Sequence, residues 1–289
     1  MNRLALGIVV GLTLASCGRS RPVIVGAKNF TESDLLGEIV AQQIERRTGL
    51  PVDRKLHLGG TFVCQRAITA GDIDIYVEYT GTAFTAILKQ PPIGDRDSVY
   101  RFVAAEYPRR FQLQWATPLG FDNTFAILVR RADADRYQLR SIGDLARVTP
   151  LWKAGFGYEF LERADGFAGL AKRYGLTFSR PPTAMDLGLT YRALAEGRID
   201  VIAGNSTDGQ IAALNLVALA DDRGYFPPYQ AAPVVRSGLL ASHPAVGAAL
   251  AELGGKISDA EMRRLNAQVD VEHKDIAEVA RAWLAERVP

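Results

Sequence analysis

Three aromatic residues stand in settings that hold a ring still. Tyr79 lies in Ile75–Phe84 (IYVEYTGTAF), where it ends an apolar run and is followed by Thr80-Gly81-Thr82. Phe125 closes Gly120-Phe-Asp-Asn-Thr-Phe125, and Tyr229 follows Phe226-Pro227-Pro228, whose prolines lock φ and so fix the approach to the tyrosine. Rings held rigidly around a dry cleft suit a quaternary ammonium ion, which donates no hydrogen bond and is drawn to π faces. Each such contact contributes about 0.5–1 kcal/mol when exposed and about 2 kcal/mol when desolvated. Periodicity alone fits ordinary core rings equally well. Reactive apparatus is sparse by comparison. His57, His243 and His273 sit in no Cys/His/Asp cluster with metal spacing, and there is no Gly-x-Ser-x-Gly elbow, Walker motif or phosphate-cradling glycine loop. His57-Leu-Gly-Gly-Thr61 sets two glycines before a helix, an arrangement that can receive an anion. These observations predict no enzyme, no metal and no cofactor.

The elements that must position these rings alternate. Val23–Val25 reads as a strand. Thr31–Arg47 reads as a helix, with Thr31 as N-cap, Asp34 three residues on, a stripe of Leu35, Leu36, Ile39, Val40 and Ile44, and Gly49 as stop. Further helices are expected over 62–69, 97–111, 141–148, 159–174 and 186–196, and strands over 73–77, 124–129 and 199–203. The chain from His243 onward reads as mostly helical. This order predicts an α/β protein with largely parallel sheets. One segment repeats: Ala67-Ile-Thr-Ala-Gly71-Asp-Ile-Asp-Ile75 matches Ala193-Leu-Ala-Glu-Gly197-Arg-Ile-Asp-Val201. At the same offset Tyr79 falls on Asn205, and Thr80-Gly81 on Ser206-Thr207. Two equivalent units, each ending a strand in a small polar loop, predict two lobes with a cleft beyond the strand ends. Asp208 is expected to cap the helix that comes after it, with orientation of the Asn205 loop as the alternative.

The 289 residues suit one large or two medium domains, with 48% hydrophobic and 23% charged residues and a net charge of +2. That balance favours neither nucleic acid nor a polybasic membrane contact. The N-terminus differs from the rest. Asn2-Arg3 precedes an apolar run from Leu4 to Leu14, too short to span a bilayer and like the core of a signal peptide. Leu14-Ala15-Ser16-Cys17 resembles a lipobox, which implies removal of residues 1–16 and lipidation of Cys17, anchoring the protein to a bacterial membrane on its extracytoplasmic side. The other cysteine, Cys64, then has no disulfide partner and reads as a small buried hydrophobe.

Five segments occur in one order: Gly26-Ala-Lys-Asn-Phe-Thr-Glu32, Glu78-Tyr-Thr-Gly-Thr82, Gly120-Phe-Asp-Asn-Thr-Phe125, Ser206-Thr-Asp-Gly209, and Asp221-Asp222 with Phe226-Pro-Pro-Tyr229. Together they resemble the substrate-binding proteins of ABC transporters for glycine betaine, choline, carnitine and related compounds. The resemblance implies a type II periplasmic binding fold: two α/β lobes joined by a hinge, here residues 23–122 with 231–289 and residues 123–230, closing on ligand in the cleft. It implies a monomer that delivers solute to a transmembrane permease served by a separate ATPase subunit, for osmoprotection or nutrient uptake. By position it implies ligand contacts from Tyr79 and Thr82 in the first lobe and from Phe125 and Tyr229 in the second. Lys28 and Arg163 are the implied carboxylate donors, with an Arg163–Asp165 pair as the alternative for the arginine, and Tyr158 is a further ring near the cleft. Relatives often carry tyrosine at the positions of Phe125 and Asn205. The lost ring at Asn205 opens an alternative, a ligand with extra polar groups such as an amino acid or a sulfur-containing betaine. An enzyme or sensor on the same scaffold is a third reading.

Overall fold

Ten strands carry the structure, a computed structural model that describes residues 21–289. They are β1 (Val23–Lys28), β2 (Val52–Gly59), β3 (Ile75–Tyr79), β4 (Leu113–Trp115), β5 (Phe125–Arg130), β6 (Ala154–Gly157), β7 (Thr183–Met185), β8 (Val201–Asn205), β9 (Leu216–Ala218) and β10 (Ala231–Arg236). Two five-stranded sheets result, in the orders β2-β1-β3-β10-β4 and β7-β6-β8-β5-β9. In each sheet one strand runs against the others, β10 in the first and β5 in the second. The sheets are therefore largely parallel, and the reversed strand in each is the one entered by a crossing from the other lobe. Apolar residues cover both faces of both sheets, which gives two α/β lobes.

The repeat seen in the sequence is a repeat of architecture. Asp74 accepts from the Ile24 backbone N–H at 3.0 Å and from Arg236 at 3.2 Å, next to the reversed β10. Asp200 accepts from the Lys153 backbone N–H at 2.9 Å and from Arg130 at 2.8 Å, next to the reversed β5. Each aspartate thus ties a parallel neighbour and the reversed strand to the strand that ends in the cleft, β3 at Tyr79 and β8 at Asn205.

The chain crosses between lobes twice, over residues 116–124 and 219–230. The crossings lie side by side: Asp122 and Gln230 form an antiparallel bridge, and the Asn123 N–H donates to the Tyr229 carbonyl at 3.0 Å. The C-terminal helices Pro244–Ala251, Asp259–Asp270 and Ile276–Arg287 pack on helix Thr31–Thr48 of the first lobe through Val246, Leu250, Leu265, Trp283 and Leu284.

Several local expectations change. The N-cap of helix Thr31–Thr48 is Phe30, not Thr31; the Thr31 hydroxyl donates to Asp270 at 2.6 Å and Asp34 accepts from the His57 backbone at 2.8 Å. Tertiary partners took both side chains away from capping. Gly49 does end the helix, with φ 67°. The helix expected over 159–174 is two, Tyr158–Glu162 and Phe167–Tyr174, because the turn between them carries the buried pair of Arg163 and Asp165. The stretch 141–148 is a 3₁₀-helix, Ile142–Arg147, closed by a Ser141/Asp144 capping box. Thr80–Thr82, read as a loop, is the first turn of a helix that widens into a π-helix over Ala83–Ile87. Cys64 is fully buried, and burial pushes its thiol up to about 12. Cys17 lies outside the described residues.

Candidate functional site

The cleft between the lobes holds a cavity of about 360 Å³. All eight side chains marked in the sequence line it: Lys28, Tyr79 and Thr82 from the first lobe, Phe125, Tyr158, Arg163 and Asn205 from the second, and Tyr229 from the returning crossing. They come from distant segments because the strand ends of both sheets face one another.

Tyr79 ends β3, which is buried along its whole length, so the ring is held from behind. Its hydroxyl donates to Glu32 at 2.7 Å, and its ring stacks with Phe30 at 6.3 Å between centroids. Gly81 permits the fit beside it: a Cβ there would stand 2.6 Å from the Pro228 carbonyl oxygen and 2.7 Å from the Tyr229 ring. Thr82 is buried in the same turn.

The two expected carboxylate donors are held by partners of their own. Lys28 is buried; its Nζ donates to Thr61 at 2.8 Å and Glu78 at 2.5 Å, and lies 5.0 Å from the Tyr79 ring centroid. Burial raises the Glu78 pKa, opposed by the Lys28 charge and hydrogen bond. Arg163 is also buried. It grips Asp165 through Nε at 2.8 Å and Nη2 at 2.6 Å, which is the pair weighed in the sequence. Burial disfavours both charges, and the paired hydrogen bonds outweigh it, so the arginine is held above and the aspartate below its ordinary range. Asp165 also accepts from Tyr229 and Thr85, each at 2.7 Å. The guanidinium lies 5.0 Å from the Phe125 centroid and 5.9 Å from the Tyr229 centroid, so this cation already faces both second-lobe rings. Nη1 makes no hydrogen bond among the described residues; Glu159 is 4.0 Å away. Arg163 thus joins the pair, the rings and the cavity wall. Tyr158 stands at the mouth, 60% exposed.

Asp208 does not cap the next helix, whose N-cap is Gly209. Its carboxylate accepts from the Asn205 N–H at 2.9 Å and the Tyr191 hydroxyl at 2.5 Å, which fixes the loop that ends β8. Burial pushes Asp208 up to about 7, against those hydrogen bonds.

Two acidic residues were not marked as site residues in the sequence. Glu32 is buried and accepts from Tyr79, Asn123 at 2.8 Å, Thr207 at 2.5 Å and Asn266 at 2.9 Å, joining the first lobe, the crossing, the second lobe and a C-terminal helix. Burial raises its pKa against all four bonds. Its place in the Gly26–Glu32 segment was the available signal. Glu159 accepts from the Thr61 N–H, so the helix start expected to receive an anion receives this carboxylate from the opposite lobe. Gly60 leaves it room, since a Cβ would stand 2.5 Å from Glu159 Oε1. Nothing in the local sequence pairs residues so far apart.

The pocket brings together aromatic rings, cations held by partners of their own, and amides. Among the described residues no group of three or more His, Cys, Asp or Glu side chains is placed to hold a metal.

Comparisons with known proteins agree with this geometry. The profile of a family described as the substrate binding domain of ABC-type glycine betaine transport systems matches residues 21–286. The carnitine transport binding protein OpuCC of Listeria monocytogenes is 36% identical over 282 residues, covering 94% of this chain and 91% of that protein. The ergothioneine transport permease/ergothioneine binding protein EgtU of Helicobacter pylori is also 36% identical, over 265 residues and 91% of this chain. The match spans only 47% of EgtU, about half its length. A crystal structure described as a glycine betaine/carnitine/choline ABC transporter superposes with a TM-score of 0.74 at 34% identity, over 91% of this chain and 98% of that one.

Proposed function

The chain belongs to the family of substrate-binding domains of ABC-type glycine betaine transport systems, and from that premise we propose that it captures a small quaternary ammonium or zwitterionic solute between its lobes and delivers it to a permease. The coarse function, a substrate-binding component of such an importer and not an enzyme, follows from membership. The observation that supports the finer reading is the cavity walled by Tyr79, Phe125, Tyr158 and Tyr229, with Lys28 and Arg163 in the same lining. Rings and methyl groups attract without hydrogen bonds, and a planar guanidinium edge matches a carboxylate. Calorimetric titration of residues 18–289, freed of copurified solute by unfolding and refolding, tests it. The panel is glycine betaine, choline, carnitine, proline betaine, ergothioneine and several amino acids. Binding of one of the quaternary ammonium compounds supports the reading. Binding of an amino acid alone overturns the quaternary ammonium part of the reading, and binding of nothing overturns the whole of it.

A second ligand class is favoured by two observations: Asn205 stands in the lining without a ring, and the Helicobacter pylori relative is named for ergothioneine. The N-terminal segment supports attachment to a membrane through Cys17, facing away from the cytoplasm. Cys17→Ser is expected to move the protein from the membrane to the soluble fraction and to abolish labelling by a radioactive fatty acid. Labelling that persists in the variant would refute lipidation at this residue.

A further inference from the structure

Asn205 ends β8 and lines the cavity. Its amide is not free to turn. Asp208 lies 3.3 Å and 3.4 Å from Nδ2 through its two oxygens, and Asp208 is itself fixed by the Asn205 backbone N–H and by the hydroxyl of the buried Tyr191. An amide beside a carboxylate turns its NH₂ toward it, because the opposite orientation sets oxygen against oxygen. Oδ1 is thereby directed away from Asp208. It accepts no hydrogen bond among the described residues and is not among the enclosed polar atoms left without a partner, so it is an accessible acceptor on a residue of the cavity wall. Asn123 is built on the same plan, with Nδ2 donating to Glu32 at 2.8 Å, but its Oδ1 is enclosed by protein. Of the two anchored asparagines, Asn205 alone offers the solute an acceptor, and its donors are directed elsewhere.

We propose that the Asn205 amide, oriented by Asp208, determines specificity, selecting quaternary or zwitterionic solutes that carry an additional O–H or N–H donor over those that carry none. The proposal rests on the reading of the cavity as a site for such solutes. A solute that brings only methyl groups to Oδ1 displaces the water there and returns no comparable hydrogen bond. A solute that brings a donor replaces it.

The test uses matched pairs of compounds: choline against ethyltrimethylammonium, and carnitine against γ-butyrobetaine. Within each pair only one hydroxyl differs. Titrations at pH 8, above the value of about 7 to which burial pushes Asp208, are run on the wild type and on Asn205→Leu. The wild type is expected to prefer the hydroxylated member of at least one pair by about tenfold, the size of one hydrogen bond. Asn205→Leu is expected to reduce that preference below about twofold while still binding the other member. Asn205→Ala gives the same readout without added bulk if leucine disturbs the fold. Equal affinities within both pairs in the wild type overturn the proposal, as does a preference that survives in the variants. Failure of these four compounds and of the whole panel above to bind the wild type instead overturns the underlying reading of the cavity, and the proposal with it.

Discussion

Tyr79 serves two ends through two parts of one side chain. The ring belongs to the cavity wall, and the hydroxyl is one of four donors that stabilise the buried Glu32. Substitutions separate them. Tyr79→Ala removes the ring, and affinity for a quaternary ammonium solute is expected to fall by at least about thirtyfold, the equivalent of about 2 kcal/mol for a desolvated cation–π contact. Tyr79→Phe keeps the ring and leaves Glu32 a donor short. It is expected to bind within about threefold of the wild type while losing about 1–3 kcal/mol of stability. Calorimetry and thermal melting read both effects. Unchanged affinity in a folded Tyr79→Ala protein would remove Tyr79 from the site.

At the scale of elements, the site is made by two strand ends that the fold treats alike. Asp74 and Asp200 bond a parallel neighbour and a reversed strand in the same way, so β3 and β8 deliver Tyr79 and Asn205 to equivalent places. Beyond β3 the chain has to pass beneath the returning crossing. The turn Thr80–Thr82 does so at Gly81, where the backbone and Tyr229 leave no space for a side chain. Gly81→Ala is expected to lower stability by about 1–3 kcal/mol through overpacking, and to displace the Tyr229 ring. A melting temperature equal to that of the wild type would show that the crossing yields more easily than its contacts indicate.

At the scale of the molecule, the lobes meet on both sides of the cavity. Glu32 joins them beside the crossings, and Glu159 reaches from the second lobe to the start of helix Thr61–Ala70 in the first. A carboxylate at a helix start is favoured by the unpaired N–H groups there, so Glu159 ties the second lobe to the first across the cleft. Ligand shifts an equilibrium between lobe arrangements by its preference for one state. Glu159→Ala is expected to weaken solute binding about fivefold, about 1 kcal/mol for one charge-assisted hydrogen bond at a partly exposed site, and to increase the radius of gyration of the ligand-free protein in X-ray scattering. If neither quantity changes, closure does not depend on this contact.

The sequence by itself determined the α/β alternation and the repeated unit. Hydrophobic periodicity, glycine stops and the Ile-Asp-aliphatic repeat are local signals, written in neighbouring residues. The resemblance of the motifs to a known family is what assigned Tyr79, Phe125 and Tyr229 to one cleft. Only the tertiary structure decided how the charges are distributed. Lys28 is matched by Glu78 and the start of the helix at Thr61 by Glu159, and between the readings left open Arg163 pairs with Asp165 and Asp208 orients the Asn205 loop. It likewise turned Thr31 from a cap into a partner of Asp270 and broke the helix expected over 159–174. The physical reason is common to these cases. A buried polar or charged group must find a partner wherever the fold brings one within reach, and for Lys28–Glu78, Thr61–Glu159 and Thr31–Asp270 that partner lies 50, 98 and 239 residues away, where local sequence gives no signal.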